Sequence, residues 1–176
     1  MLPLIPIALP PPSKGGGAEI ECEIQVKYRP VSVPGVNAVH VYLWMNDGVN
    51  QWVAEGKPQN ASPILFIESP VTGEPVPNPY PWGKLVGQKV SNAPGLPGNN
   101  PAGDAKAGPT LRSADICLSV DRILQAVDSY NDRQVYYRPL GPNSNTFAHW
   151  LLKMGGVNHR FRRPPDAVGW NAPFNL

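Results

Sequence analysis

Proline is the residue that most limits how this chain can fold, because it donates nothing to a β-ladder and breaks a helix interior. The sequence carries 23 prolines and 17 glycines, together 40 of 176 residues, against a usual share of roughly 12%. They concentrate in residues 1–18 and 69–110, so regular structure is confined to what lies between and after. Apolar residues make up 41% of the chain, enough for a packed core at this length. The expected organisation is a Pro-rich arm over 1–18 and a single α+β domain over 19–176, interrupted by a loop insertion at about 69–110.

The first regular segment alternates strictly. Ile20, Cys22, Ile24, Val26 and Tyr28 fall on one side, and Glu19, Glu21, Glu23, Gln25 and Lys27 on the other, the pattern of a half-buried strand. A second strand is expected from Ala38 to Met45, with Val39, Val41, Leu43 and Met45 on one face and His40, Tyr42 and Trp44 on the other. Asn46-Asp47-Gly48 is a hairpin signal, which returns the chain through Gln51 to Glu55. Pro63 to Ile67 reads as a short buried strand. Residues 69–110 lack periodicity and read as a lid, a covering loop or a disordered insertion, with Tyr80, Trp82, Leu85 and Val86 docking its first half on the core.

Helical spacing appears later. Ile116, Val120, Ile123, Leu124 and Val127 recur at helix period, behind Ser113 as a cap and Asp115 in the first turn, so a helix is expected to about Tyr130. Gln134 to Pro139 reads as a strand. A second helix is expected from about Ser144 to Met154, closed by Gly155-Gly156, and Trp170 and Phe174 place the tail against the core. Strands first, then helix, strand and helix, define an α+β fold with a small, mainly antiparallel sheet, two helices and long Pro/Gly-rich loops.

Charge and cysteine content narrow the function classes. A formal net charge of +2 supplies no basic face for nucleic acid; the short cluster Arg160, Arg162 and Arg163 reads as solvated surface. The apolar N-terminus is broken by prolines and has no basic start, so it suits neither a membrane span nor a signal peptide. It reads as an extended arm packed on the domain or on a protein partner. Compartment stays open, cytoplasmic or exported without a clear signal. Cys22 and Cys117 read as two buried thiols in preference to one disulfide. The three histidines are dispersed, with no metal-ligand spacing. No phosphate loop, Gly-x-Ser-x-Gly elbow or dinucleotide fingerprint occurs, and no cofactor is expected.

The segment Gly141-Pro142-Asn143-Ser144-Asn145-Thr146-Phe147 is where chemistry fits best. It sets a hydroxyl at a strand-to-helix junction, where unpaired N–H groups and the helix dipole favour an anion. Ser144 there is placed for acyl chemistry if a base reaches it, with Asn143 and Asn145 at the helix start as oxyanion-side residues. The competing reading is structural: Asn143 or Ser144 is the helix N-cap and nothing more. His40, walled by Tyr42 and Trp44, is the base candidate, against the alternative of a satisfied strand histidine. Glu55 or Gln51, on one face of the returning strand, would orient it. His149 lies five residues after Ser144, about 140° round the helix axis, and does not face it.

Two local similarities then combine. Val39-His40-Val41-Tyr42-Leu43-Trp44, Asp47-Gly48 and Trp52-Val53-Ala54-Glu55 resemble the His strand and hairpin of papain-like NlpC/P60 proteins. The Gly141 to Phe147 string, followed by Leu151-Leu152, is similar to the Asn-Cys-x-x-Phe helix start of the circularly permuted members, and to a string found in uncharacterised bacterial domains. As in those members and the lecithin–retinol acyltransferase-like branch, the His strand precedes the nucleophile. The family's cysteine falls on Ser144. The resemblance covers about 40 residues and implies a permuted papain-like hydrolase or acyltransferase acting on amide or ester bonds. Peptidoglycan peptides are the first substrate class it implies and lipid acyl groups the second, with an exported bacterial effector or toxin as the setting. It implies Ser144 as nucleophile, His40 as base and Glu55 or Gln51 as the orienting group. The rival is a catalytically inactive domain of this type that binds a protein or small ligand.

Overall fold

The structure, a computed structural model, describes residues 20–33, 36–60, 62–91 and 106–173. The N-terminal arm over 1–18, the turn at Pro34-Gly35 and Phe174 lie outside the described residues, as does the stretch 92–105 of the expected insertion.

Five strands make one sheet in the order β6-β3-β2-β1-β7: β1 (Cys22–Val33), β2 (Val36–Asn46), β3 (Gln51–Pro58), β6 (Leu85–Ser91) and β7 (Lys106–Ser113). Every neighbouring pair is antiparallel. A separate ribbon pairs β4 (Phe66–Glu68) with β5 (Pro75–Pro77). The two helices are α1 (Cys117–Tyr130), entered through a 3-10 turn at Ala114–Ile116, and α2 (Ser144–Met154). The α+β layout with a mainly antiparallel sheet is therefore what this chain adopts.

The alternation in β1 sends Cys22, Ile24 and Val26 inward, and β2 matches it with Val41, Leu43 and Met45. Ile123, Val127 and Tyr130 of α1 and Phe147, Leu151 and Leu152 of α2 close over that face. The hairpin between β2 and β3 is held by Asp47, whose Oδ1 accepts from the amides of Val49 at 2.9 Å and Asn50 at 2.6 Å. Gly48 takes φ +89° there, a conformation that suits glycine.

Several sequence expectations need correcting. Of the segment expected as a buried strand at Pro63–Ile67, only Phe66 and Ile67 enter a strand, β4, whose residues are all exposed, because its partner is β5 and not the main sheet. The stretch expected as a loop insertion contributes two strands of the main sheet, β6 and β7. Both were hidden by their glycines and by Pro109. In β7, Gly108 and Pro109 sit where the register against β1 slips between Gln25 and Lys27, a bulge on an edge strand, where proline is tolerated. Gln134 to Pro139 forms no strand: it touches Lys84 through one isolated bridge at Tyr136. Ser113 makes no side-chain cap, and α1 proper starts four residues later.

Cys22 and Cys117 are joined as a disulfide with Cα atoms 4.9 Å apart, which overturns the reading of two buried thiols. Cys22 pairs in register with Ser113 at the end of β7, and the 3-10 turn that follows brings Cys117 back to it. Cys22 is buried as its alternation implied, but Cys117 is only half-buried; the pairing depends on β7, which the sequence did not reveal.

Candidate active-site cleft

β2 and β3 pair only over Leu43–Asn46 and Gln51–Ala54 and then part. A cleft of about 260 Å³ opens beyond that point, lined by His40 and its β2 neighbours, by Pro58 at the end of β3, and by Ser144 at the start of α2. The side of β2 that β3 abandons is taken by one side chain. Asn145 Oδ1 accepts from the Val41 amide at 2.8 Å, and Asn145 Nδ2 donates to the carbonyls of Val39 and Val168, each at 2.9 Å. This amide supplies the bonds a neighbouring strand would make. It also fixes the first turn of α2 to the two residues flanking His40.

His40 and Glu55 meet directly. The His40 Nε2 to Glu55 Oε2 distance is 2.7 Å, with Glu55 only 3% exposed. The other carboxylate oxygen receives Lys57 Nζ at 2.9 Å and Gln88 Nε2 at 2.6 Å. Burial alone would raise the Glu55 pKa, but the hydrogen bonds and charges of His40 and Lys57 outweigh it and hold the carboxyl at about 2. An ionised carboxylate only accepts, so Nε2 of His40 must donate, and the neutral ring keeps its basic lone pair on Nδ1. The ring centroid stands 6.2 Å from that of Tyr42, with the two planes inclined by 29°.

Of the two orienting candidates, Glu55 is the one whose carboxylate meets the ring. Gln51 is exposed at the far end of β3, in register with Asn46. Gln88 was missed, since it lies in the stretch read as a loop; its register position opposite Glu55 becomes legible only once β6 is recognised.

The helix start also behaves differently from the expected oxyanion pocket. Asn143 is the N-cap, accepting from the amides of Asn145 at 2.9 Å and Thr146 at 3.2 Å, while its own amide donates to Thr146 Oγ1 at 3.2 Å. This capping box uses up the N–H groups of Asn143 and Asn145. Those two residues are therefore scaffold, and the Ser144 amide is the one in the first turn that the box does not engage. Ser144 is 4% exposed. Its hydroxyl makes a long bond of 3.4 Å to Asn145 Oδ1 and a second hydrogen bond with Tyr137. Burial pushes the Tyr137 phenol up, the Ser144 contact offsetting only part of that, so it stays a protonated donor at neutral pH.

His149 lies away from this cleft. Its Nδ1 donates to the Trp170 carbonyl at 2.8 Å, and its ring stacks on the Trp170 indole at 4.8 Å. Among the described residues no three His, Cys, Asp or Glu side chains converge as a metal site would need. No described helix is long and apolar enough to cross a membrane. Comparison with known proteins adds nothing to this geometry: no family model, no curated protein and no solved structure matches the chain.

Proposed function

We propose that the cleft is an acyl-transfer site, a hydrolase or acyltransferase acting on an amide or ester, in keeping with the permuted papain-like resemblance. The observation that carries it is the His40–Glu55 pair opening onto the cleft that Ser144 also lines. Ser144 Oγ attacks the substrate carbonyl carbon as its proton passes to His40 Nδ1, and Glu55 steadies the imidazolium that results. The tetrahedral intermediate collapses, the amine or alcohol leaves with the proton from His40, and water or a second acceptor takes the acyl group by the reverse sequence. The donors available to the oxyanion are the Ser144 amide and the Tyr137 hydroxyl. The disulfide favours an oxidising compartment, which suits an exported protein.

One observation favours a second reading. Ser144 is buried and already hydrogen-bonded on two sides, as it would be in a relative that kept the pocket and lost turnover.

The test compares wild type with Ser144→Ala and His40→Ala on peptidoglycan fragments and on lipid and short-chain esters. The proposal expects either substitution to cost on the order of 10²–10⁴-fold in kcat/KM. A fluorophosphonate should label wild type at the peptide bearing Ser144. Equal turnover by all three proteins, with no label at Ser144, leaves the binding reading in its place.

A further inference from the structure

We propose that this cleft selects an uncharged, apolar acyl or alkyl group of about nine heavy atoms or fewer, and rejects groups that end in a carboxylate or an ammonium. The inference takes its chemistry from the acyl-transfer reading, but its selectivity rests on the walls alone. Those walls are Val31, Ala38, Val39 and Pro58 from strands of the sheet, with Trp82 and Val168 from the loops. Among the described residues, no Asp, Glu, Lys or Arg lines the space.

The two asparagines in the lining do not change this. Asn143 donates its Nδ2 to the carbonyls of Pro139 at 2.8 Å and Val168 at 3.1 Å, and its Oδ1 accepts from the Asn145 amide in the cap. Asn145 spends its amide on Val39, Val41 and Val168. What remains for a ligand is His40, Ser144 and Tyr137, enough to hold one carbonyl group. Glu55 behind His40 cannot serve an ammonium, because His40, Lys57 and Gln88 already occupy both of its oxygens. A charge carried into these walls would lose its water and gain no partner, which is strongly unfavourable.

Size follows from volume. At roughly 30 Å³ for a water-sized atom, 260 Å³ holds about nine heavy atoms. That accommodates a short acyl chain or one aliphatic or aromatic side chain. A peptide presenting free carboxylates, as the family resemblance would suggest, is disfavoured inside the cleft.

The experiment uses isothermal titration calorimetry on wild type and on the Ser144→Ala protein, in which the acyl-transfer reading removes turnover, and compares ligands within each protein. Hexanamide is compared with adipic acid monoamide and with 6-aminohexanamide, which have the same length and carry a charge at the far end. The homologues butanamide, octanamide and dodecanamide extend the series. Hexanamide should bind at least about ten-fold more tightly than either charged analogue, and affinity should stop rising near octanamide. Val168→Lys places a cation at the wall and should shift preference to the monoamide acid; Trp82→Ala, at a half-buried position, should lengthen the preferred chain. Equal binding of charged and uncharged ligands, or affinity climbing steadily to dodecanamide, overturns the inference. Turnover of 4-nitrophenyl hexanoate by wild type is measured in parallel. Selective binding without turnover supports the inference and retires the acyl-transfer reading. Turnover without selectivity does the reverse.

Discussion

Glu55 is a carboxylate that the fold buries and then surrounds with donors, so its energetics differ from those of the charges on the rim. Its pKa falls from 4.5 to about 2, and a depressed carboxyl stabilises the native state only while ionised. The contribution is complete above pH 4.5, declines as pH falls through that window, and is gone near pH 2. Its size is on the order of 3 kcal/mol. Urea unfolding at pH 5, 4 and 3 should therefore show falling stability for wild type and a flatter dependence for Glu55→Gln. The same substitution removes the charge that stabilises the imidazolium, so it should also lower kcat/KM by on the order of 10²–10⁴-fold. Parallel pH slopes for the two proteins would mean that the carboxylate is not held as described. Gln88 acts on the same oxygen as Lys57, without charge. Gln88→Leu should leave one lobe of the carboxylate less restrained, and the His40 ring-proton shifts should then move by NMR at fixed pH, whether or not any substrate is turned over. Both residues sit in register on neighbouring strands, yet only Glu55 could be read from the sequence. Its strand follows directly on a hairpin signal, while Gln88 follows a glycine that interrupts the pattern.

That glycine belongs to an element-scale device. Gly56 of β3 and Gly87 of β6 are register partners, and together they hollow the sheet beneath Phe147 of α2. A Cβ on Gly87 would stand 2.6 Å from Phe147 Cζ, and one on Gly56 would stand 2.8 Å from Phe147 Cβ. The ring keys the helix into the sheet three residues after Ser144, while Asn145 ties its first turn to β2. Gly87→Ala should destabilise by about 1–3 kcal/mol through overpacking, measured by denaturant unfolding. Adding Phe147→Leu should recover part of that loss, since two residues in contact do not contribute additively; a purely additive double mutant would deny the contact. Asn143→Ala should cost about 2 kcal/mol, as it removes the cap together with the bonds to Pro139 and Val168. The helix was legible because an N-cap, a helical period and a closing Gly-Gly all agree on Ser144–Met154, the bounds that α2 takes. β6 was not, because the glycine that breaks its periodicity answers a packing demand from a residue 60 positions away. Capping also engages the amides of Asn143 and Asn145: the signal that located the helix start is the arrangement that occupies those two amides.

At the scale of the whole molecule, the sheet separates what stabilises the fold from what forms the cleft. β1 begins at Cys22, bonded to Cys117, and reaches the cleft wall at Val31. Nine residues of strand put the two ends about 30 Å apart. The disulfide closes a loop of 95 residues, for which loss of unfolded-chain entropy amounts to about 4–5 kcal/mol. Reduction, or paired replacement by alanine, should lower stability by about 2–5 kcal/mol, a fall of roughly 5–15 °C in Tm for a chain of this size. The Glu55 cluster and the first turn of α2 are held by hydrogen bonds to β2, β3 and β6, which the reductant leaves in place. Hexanamide binding to the reduced protein should therefore match that of the oxidised protein at any temperature where circular dichroism reports a folded sheet. The two measurements are made on one sample, before and after treatment with a phosphine reductant. A lowered Tm with unchanged affinity is the expected result. Affinity lost while the sheet persists would mean that strain at the Cys22 end of β1 reaches His40, and that the cleft is a property of the whole strand and not of its far end.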